Sequence, residues 1–274
     1  MADFTGADFT GADFTGADFT GKTVLVTGAS KGLGRVAAEA FSIAGANLVL
    51  SGRSSDKLEE LASQLPKTCD ALVVPGDLLE RDEVEALATA ALERFGVVDI
   101  ILHALGGGYG FREPLLEWDQ LSILHHLNIG AGAELNRLLA PAMREAGSGR
   151  ILHVCSIASG EAVASVGYNT VKAGLAAYVR GLGRALAGDG IAVTGILPGA
   201  FEGPDNAFAR LKANNPDAYK EFETDRLPRG KVGRAEEVVP LIFFLAGAGA
   251  AMMGGSCVPI DAGEGFAIIP DAFS

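Results

Sequence analysis

The sequence predicts an α/β fold: a single doubly wound parallel sheet with helices on both faces. Short runs of Val, Ile and Leu recur along the chain, and the stretches between them repeat their apolar residues every three to four positions. The first run ends in a glycine-rich turn that opens a helix, which fixes where such a sheet would receive a ligand.

Ahead of the first run, Ala2 to Gly21 repeats Ala-Asp-Phe-Thr-Gly four times without change. The unit resembles one side of a pentapeptide-repeat coil, but a single coil cannot bury its own phenylalanines, because solenoids need several stacked units. Perfect identity between copies favours a tandem duplication of a natural start, ADFTG-Lys22. Residues 1–21 are expected to form a tail, flexible or packed opportunistically, with no catalytic role. No linker or composition shift divides 22–274, which is read as one domain.

The candidate strands follow from Lys22 onward: Val24-Leu25-Val26, Leu48-Val49-Leu50, Leu72-Val73-Val74, Ile100-Ile101-Leu102, Ile151 to Val154 and Ile191 to Ile196. Such unbroken runs suit strands buried on both faces of a parallel sheet. A last strand is expected near Cys257-Val258-Pro259-Ile260. Val84, Leu87, Ala88, Ala91, Leu92 and Phe95 fall at helical spacing, as do Val171, Leu175, Tyr178, Val179, Leu182 and Leu186. Glu117 to Arg144 reads as one long helical segment. Val238 to Ile260 carries no charge and is long enough to span a bilayer, yet Pro240, Pro259 and its glycines make it a buried helix, a turn and a strand.

Composition narrows the partners. The chain carries 22 basic against 34 acidic residues, a net charge of −12, which repels phosphate backbones and excludes nucleic acid. Cys69, Cys155 and Cys257 are far apart with no metal-ligand spacing, and are read as small apolar residues in a reducing compartment. No basic region precedes an apolar one at the N-terminus, so a cytoplasmic location and no membrane association are expected. His125 and His126 lack a third ligand at useful spacing, and no metal is expected.

Thr27-Gly28-Ala29-Ser30-Lys31-Gly32-Leu33-Gly34 follows the first strand. Gly28 permits the tight turn, Gly32 lets backbone approach a pyrophosphate, and Gly34 allows close packing of helix on strand; the helix N-terminus adds free N–H groups and a partial positive charge. Gly28, Ser30, Lys31, Gly32, Leu33 and Gly34 are therefore candidate dinucleotide contacts. The next strand distinguishes the two nicotinamide dinucleotides: an acid at its end holds the ribose hydroxyls of NAD, whereas an Arg accommodates the 2′-phosphate of NADP. Here it ends Leu50-Ser51-Gly52-Arg53, with no acid, and Lys31 adds a second cation. NADP(H) is expected ahead of NAD(H). Arg53 is the candidate anchor because a guanidinium pairs with phosphate through two parallel hydrogen bonds; a solvated surface Arg is the alternative. Asp77, followed by Leu78, closes the third strand and is a candidate for the adenine amino group.

Tyr168 and Lys172 are four apart on an expected helix and share one face. A free tyrosine, with a pKa near ~10, is a poor acid–base catalyst at neutral pH, and a nearby ammonium favours its phenolate. Ser156 ends the strand that contains Ile151, and Asn128 lies in the long helical segment. Taken alone, Ser156 reads as a turn cap and Asn128 as a satisfied polar residue.

Together these residues resemble the short-chain dehydrogenase/reductase family. Thr-Gly-x3-Gly-x-Gly, Asp77, the Asn128 helix, Ser156, Tyr168-x3-Lys172 and Pro198-Gly199 stand in that family's order and approximate spacing, from Lys22 to about Gly263. Gly233 to Val238 and Gly254 to Gly263 are similar to its C-terminal signature. The resemblance implies a Rossmann-type catalytic domain in which Tyr168 is the general acid/base and also contacts the cofactor, while Lys172 favours its ionisation and binds the nicotinamide ribose. It further implies that Ser156 orients the substrate carbonyl, that Asn128 holds a relay water, and that Pro198 and Gly199 lie beside the nicotinamide. A homotetramer is implied, with a homodimer the alternative.

Three departures stand out. His103-Ala104-Leu105-Gly106 replaces the family's Asn-Asn-Ala-Gly, so Ala104 and Gly106 keep backbone contacts to the cofactor while the asparagine side-chain bridges are lost. The interval from Ser156 to Tyr168 is one residue shorter than in the acyl-carrier-protein reductases. The threonine that usually follows Pro-Gly is missing from Ala200-Phe201-Glu202-Gly203.

Gly203 to Arg229 is implied to be the substrate loop, a mobile lid, with His103, Gly107, Gly108, Tyr109 and Phe111 on the other wall. His103 is better read as a hydrogen-bonded structural residue than as a substrate contact. The expected partner is a small-molecule carbonyl or alcohol. A 3-oxoacyl-carrier-protein reductase is the alternative, disfavoured because Met143 to Arg150 is thin in positive charge for an acidic carrier. A catalytically silent dinucleotide-binding protein, or an interaction protein built on the repeats, is the remaining alternative.

Overall fold

The computed structural model describes residues 17–266. β1 (Thr23–Thr27) is buried along its whole length, as its unbroken apolar centre requires, and leads into α1 (Gly32–Ile43). Then come β2 (Asn47–Gly52), α2 (Ser55–Gln64), β3 (Ala71–Pro75), α3 (Arg81–Phe95) and β4 (Ile100–His103). α4 (Trp118–His125) and α5 (Ala131–Glu145) form one run through a π turn, His126–Gly130. β5 (Gly149–Val154), α6 (Val166–Leu186) and β6 (Ile191–Pro198) follow. The excursion beyond β6 holds β7 (Phe201–Glu202), α7 (Ala207–Asn214), α8 (Pro216–Arg226) and β8 (Gly233–Arg234); α9 (Val239–Ala246) and β9 (Cys257–Ile260) complete the fold.

Seven parallel strands form the main sheet in the order β3-β2-β1-β4-β5-β6-β9. The chain winds outward from β1 to β3, then returns to the other side of β1 at β4. This reversal leaves a crevice beyond the paired ends Thr27 and His103, where doubly wound sheets bind ligands. α1, α2 and α9 pack on one face, and α3, α5 and α6 on the other. The charge-free stretch after Val238 is the buried helix, turn and strand expected of it. Among the described residues no helix is long and apolar enough to cross a membrane.

Residues 1–16 of the repeat segment lie outside the described residues. In the last copy, Phe19 is 5% exposed and packs edge-on against Phe41 and Phe243, with ring centroids 5.0 and 5.1 Å away. Its N–H donates to the Ala44 carbonyl at 2.8 Å. Phe19 thus belongs to the core beneath α1 and α9.

The cysteines are free thiols. Cys155 and Cys257, remote in sequence, approach each other across Gly195 of β6: a Cβ there would lie 3.0 Å from either sulfur. The neighbouring Cys257 thiol, and then burial, push the Cys155 thiol far up, which keeps it protonated.

Candidate active site

The crevice begins at the turn after β1. Gly28 has φ +70°, and a Cβ there would lie 3.0 Å from the Ala104 carbonyl carbon and oxygen, so only glycine fits. At Gly34 a Cβ would stand 2.5 Å from the Gly28 oxygen, which is the close helix–strand approach expected. The Leu105 N–H donates to Thr27 Oγ1 at 3.3 Å and ties the ends of β1 and β4 together. Arg53 is exposed at the end of β2. The Lys31 ammonium is held below its ordinary pKa, first by partial burial and then by Arg210, Arg53 and Lys57, with Asp205 opposing. Asp77 Oδ1 accepts from the Leu79 N–H at 3.2 Å, and Leu78 is buried beneath it.

Tyr168 sits in the first turn of α6, half-buried, with Lys172 one turn on. Lys172 is 2% exposed, and its Nζ lies 5.5 Å from the Tyr168 ring centroid. A buried ammonium is costly unless hydrogen-bonded. Nζ donates to the Val154 carbonyl at 2.8 Å, which fixes its position at the end of β5. Gly106 abuts the same group: a Cβ there would lie 3.1 Å from Lys172 Nζ and 2.9 Å from Asn128 Oδ1. Gly108 passes 4.0 Å from Tyr168 by the same measure.

Ser156 caps the short 3-10 turn Ile157–Ser159, its Oγ accepting from the Ala158 N–H at 3.1 Å. The cap uses the oxygen as acceptor and leaves the O–H proton for donation. Asn128 lies within the π turn, a feature frequent at functional sites. Its Oδ1 accepts from the Gly107 N–H, and its Nδ2 donates to the carbonyls of Gly107 and Leu124. Both amide hydrogens are thereby used, so any relay water would meet Oδ1. Pro198 ends β6, and the Gly199 N–H donates to the Ile260 carbonyl at 3.3 Å, which sets this turn beside the end of β9.

Comparison with known proteins agrees with this arrangement. Residues 28–264 match a family model described as enoyl-(acyl carrier protein) reductase, and residues 2–21 match one described as pentapeptide repeats, eight copies. A 3-oxoacyl-[acyl-carrier-protein] reductase of rhamnolipid biosynthesis from Pseudomonas aeruginosa is 30% identical over 251 residues, covering 88% of this chain and 95% of its own. The chain belongs to the short-chain dehydrogenase/reductase family. L-Sorbose reductase from Gluconobacter frateurii, solved with NADPH and L-sorbose, superposes with a TM-score of 0.84 at 27% identity, covering 93% of this chain and 99% of its own. The Pseudomonas aeruginosa RhlG/NADP active-site complex gives 0.80 at 28%, covering 91% and 98%. As a member of this family, the chain is an oxidoreductase.

His103 holds the hydrogen-bonded structural role that the sequence favoured, and not a place in the substrate wall. His103 does not line an open wall: it is 5% exposed and belongs to a polar network under the crevice floor. Its Nε2 meets Asn136 Oδ1 at 2.8 Å, while Asn136 Nδ2 reaches His153 Nε2 at 3.3 Å and the Tyr178 hydroxyl at 3.2 Å. Because the amide spends its hydrogens on His153 and Tyr178, the network assigns the His103 proton to Nε2. The two imidazoles stack with centroids 4.4 Å apart. Burial pushes His103 down to about 4 and His153 well below the usual histidine range, so both are neutral. Tyr109 and Phe111 remain at the mouth, their rings 5.5 Å apart.

Sequence reasoning missed Glu264. Its Oε2 accepts from the Ala200 N–H at 2.6 Å, in the stretch that lacks the family's threonine. Burial raises its carboxyl above the usual range, and Asp261 and Glu161 add to the rise. Its position just after Asp261-Ala262-Gly263, at the end of the stretch similar to the family's C-terminal signature, was the available signal. Among the described residues no group of three His, Cys, Asp or Glu could hold a metal ion.

Proposed function

We propose that this enzyme interconverts a carbonyl and a secondary alcohol on a small molecule, with NADP(H) as its dinucleotide and Tyr168 as general acid/base. The observation that carries the reading is the buried Lys172 ammonium, anchored on Val154 and set against the Tyr168 ring. The cradle fits a dinucleotide: side chains are sterically excluded at Gly28 and Gly34, and Lys31 and Arg53 supply the cations a 2′-phosphate needs. Gly28, Ser30, Gly32, Leu33 and Gly34 would hold the pyrophosphate side, with Asp77 and Leu78 at the adenine. Ala104, Gly106, Pro198 and Gly199 would flank the nicotinamide. NADP(H) supplies or accepts the hydride.

The chain's own residues handle the proton. In reduction, the Tyr168 O–H donates to the substrate oxygen as charge develops there, while the free Ser156 proton holds the same oxygen in place. Lys172 stabilises the phenolate left behind, and Asn128 Oδ1 offers a site for the water that restores the proton. In oxidation the same groups act in reverse.

Acidic groups support a small-molecule substrate. Glu161, Asp261 and Glu264 cluster between the Ser156 loop and the Pro198-Gly199 turn, and the chain carries −12 overall. An acidic carrier protein would be repelled there, whereas a sugar or other polyol finds hydrogen-bond acceptors. The second reading, a 3-oxoacyl-carrier-protein reductase, is favoured by the name of the 30% identical relative. The enzyme acts in the cytoplasm as a homotetramer or homodimer in this proposal, with the repeat tail, residues 1–21, outside the catalysis. Fluorescence titration with NADPH and NADH on wild type and Arg53→Ala tests the cofactor. Tight NADPH binding that weakens in the variant is expected, and equal binding of both cofactors refutes the NADP(H) assignment. Turnover of ketoses against acyl-carrier thioesters separates the two substrate readings.

A further inference from the structure

The segment that leads from β7 into α7 lies across the glycine turn. The Gly32 N–H, at the start of α1, donates a 2.6 Å hydrogen bond to the Pro204 carbonyl. A Cβ on Gly203 would lie 3.3 Å from Gly32 Cα. Asp205, the next residue, forms an ion pair with Lys57 of α2, and its carbonyl accepts from Arg210 of α7. Lys31 shares this field, acted on by Lys57, Arg210, Arg53 and Asp205 together. Asp205 holds φ +53°, the left-handed region that crowds a side chain. A lid residue with an unusual backbone thus presents its carboxylate to Lys57 of α2 and its carbonyl to Arg210 of α7, beside Lys31 of the glycine turn.

We propose that Asp205 is an internal stand-in for the 2′-phosphate of NADP(H) and a determinant of cofactor choice: its carboxylate occupies Lys57 and its backbone carbonyl takes a guanidinium hydrogen of Arg210, while the Pro204 carbonyl occupies the Gly32 N–H. The inference rests on the NADP(H) reading and adds Lys57 and Arg210 to the groups that meet the phosphate. Either dinucleotide must lift the segment to reach the Gly32 N–H. A phosphate monoester carries between one and two negative charges near neutral pH, so NADPH replaces the lost carboxylate with an equal or greater charge. NADH brings no charge there and leaves the cations facing one another. Selection therefore works by repulsion as well as attraction.

The signature is a change of opposite sign for the two cofactors. Lys57→Ala removes an attraction to the phosphate and also frees the closed segment. Lys57 and Asp205 are 43% and 64% exposed, so their pair is worth only a few-fold in binding and weakens with salt. NADPH affinity should fall while NADH affinity rises by about two- to fivefold. Asp205→Asn frees the segment without touching a cation, so both cofactors should bind about two- to fivefold tighter.

The experiment titrates NADPH and NADH fluorescence against wild type, Lys57→Ala and Asp205→Asn at low salt, with thermal unfolding of each apo-protein as the check on folding. Opposite shifts in Lys57→Ala, with tighter binding of both cofactors to Asp205→Asn, support the proposal. A Lys57→Ala enzyme that moves both cofactors the same way overturns it, as does Asp205→Asn binding no tighter than wild type. If wild type binds NADPH and neither variant differs from it, this proposal alone falls. If wild type binds neither cofactor, the NADP(H) reading falls with it.

Discussion

Asn128 grips both polar groups of Gly107: its Oδ1 accepts from the Gly107 N–H and its Nδ2 donates to the Gly107 carbonyl, each at 3.0 Å. One side chain thereby fastens the loop after β4 to the π turn between α4 and α5, and the next residue of that loop, Gly108, lies against Tyr168.

Asn128→Ala leaves buried donors and acceptors without partners, at a cost of about 1–3 kcal/mol. Calorimetry should record a Tm lower by several degrees. Turnover should fall with it, since the wall beside Tyr168 is no longer fixed. An unchanged Tm would mean that the loop is held by other contacts.

Tyr168→Phe removes the proton donor and little else, because the ring keeps its place beside Lys172. The turnover number should drop by about two to four orders of magnitude, the usual worth of a positioned acid. NADPH affinity, read by fluorescence, should stay within about twofold of wild type, since the hydroxyl is one contact among many to the dinucleotide. A variant that retains full turnover would remove Tyr168 from the chemistry.

Acid should loosen the protein through its buried imidazoles. His103 titrates at about 4 in the folded chain against 6.5 for an ordinary histidine, so below 6.5 the unfolded chain binds a proton that the folded one refuses. Its contribution to stability is complete above that value and is lost as the pH falls toward 4. The slope reaches about 1.4 kcal/mol per pH unit, and His153, shifted in the same direction, steepens it. Urea unfolding at pH 7.5, 6 and 5 should show this decline. His103→Asn should flatten it, and an equally steep decline in that variant would place the effect elsewhere.

Phe19→Ala should cost about 3–5 kcal/mol, the usual price of emptying a phenylalanine site in a core. Removal of residues 2–16 should leave the unfolding midpoint in place. Denaturant titration of the two proteins side by side separates the contribution of this ring from that of the repeats before it.

The inner strands of the sheet were legible because they are buried on both faces and are therefore written as unbroken aliphatic runs; Cys257–Ile260, a partly buried edge strand, agrees with the expected strand to the residue. The glycine turn and the Tyr168–Lys172 pair were legible because each is compact in sequence. What sequence reading lacked was contact between remote positions. His103, Asn136, His153 and Tyr178 come from two strands and two helices, and nothing local says that one amide serves two imidazoles and a phenol. The π turn at Asn128 shifts helical register by one residue, too little to disturb an apolar periodicity. The two-residue strands β7 and β8 are shorter than any pattern that could announce them.

Because the repeats before Lys22 are identical, whichever unit adjoins it sets a phenylalanine three positions ahead of that lysine, where the pocket formed by Phe41 and Phe243 receives it. Gain or loss of whole units by replication slippage would therefore always deliver the same ring to the same place. The length of the repeat tract is left free to drift in a lineage while the folded unit beneath it inherits an unchanged anchor.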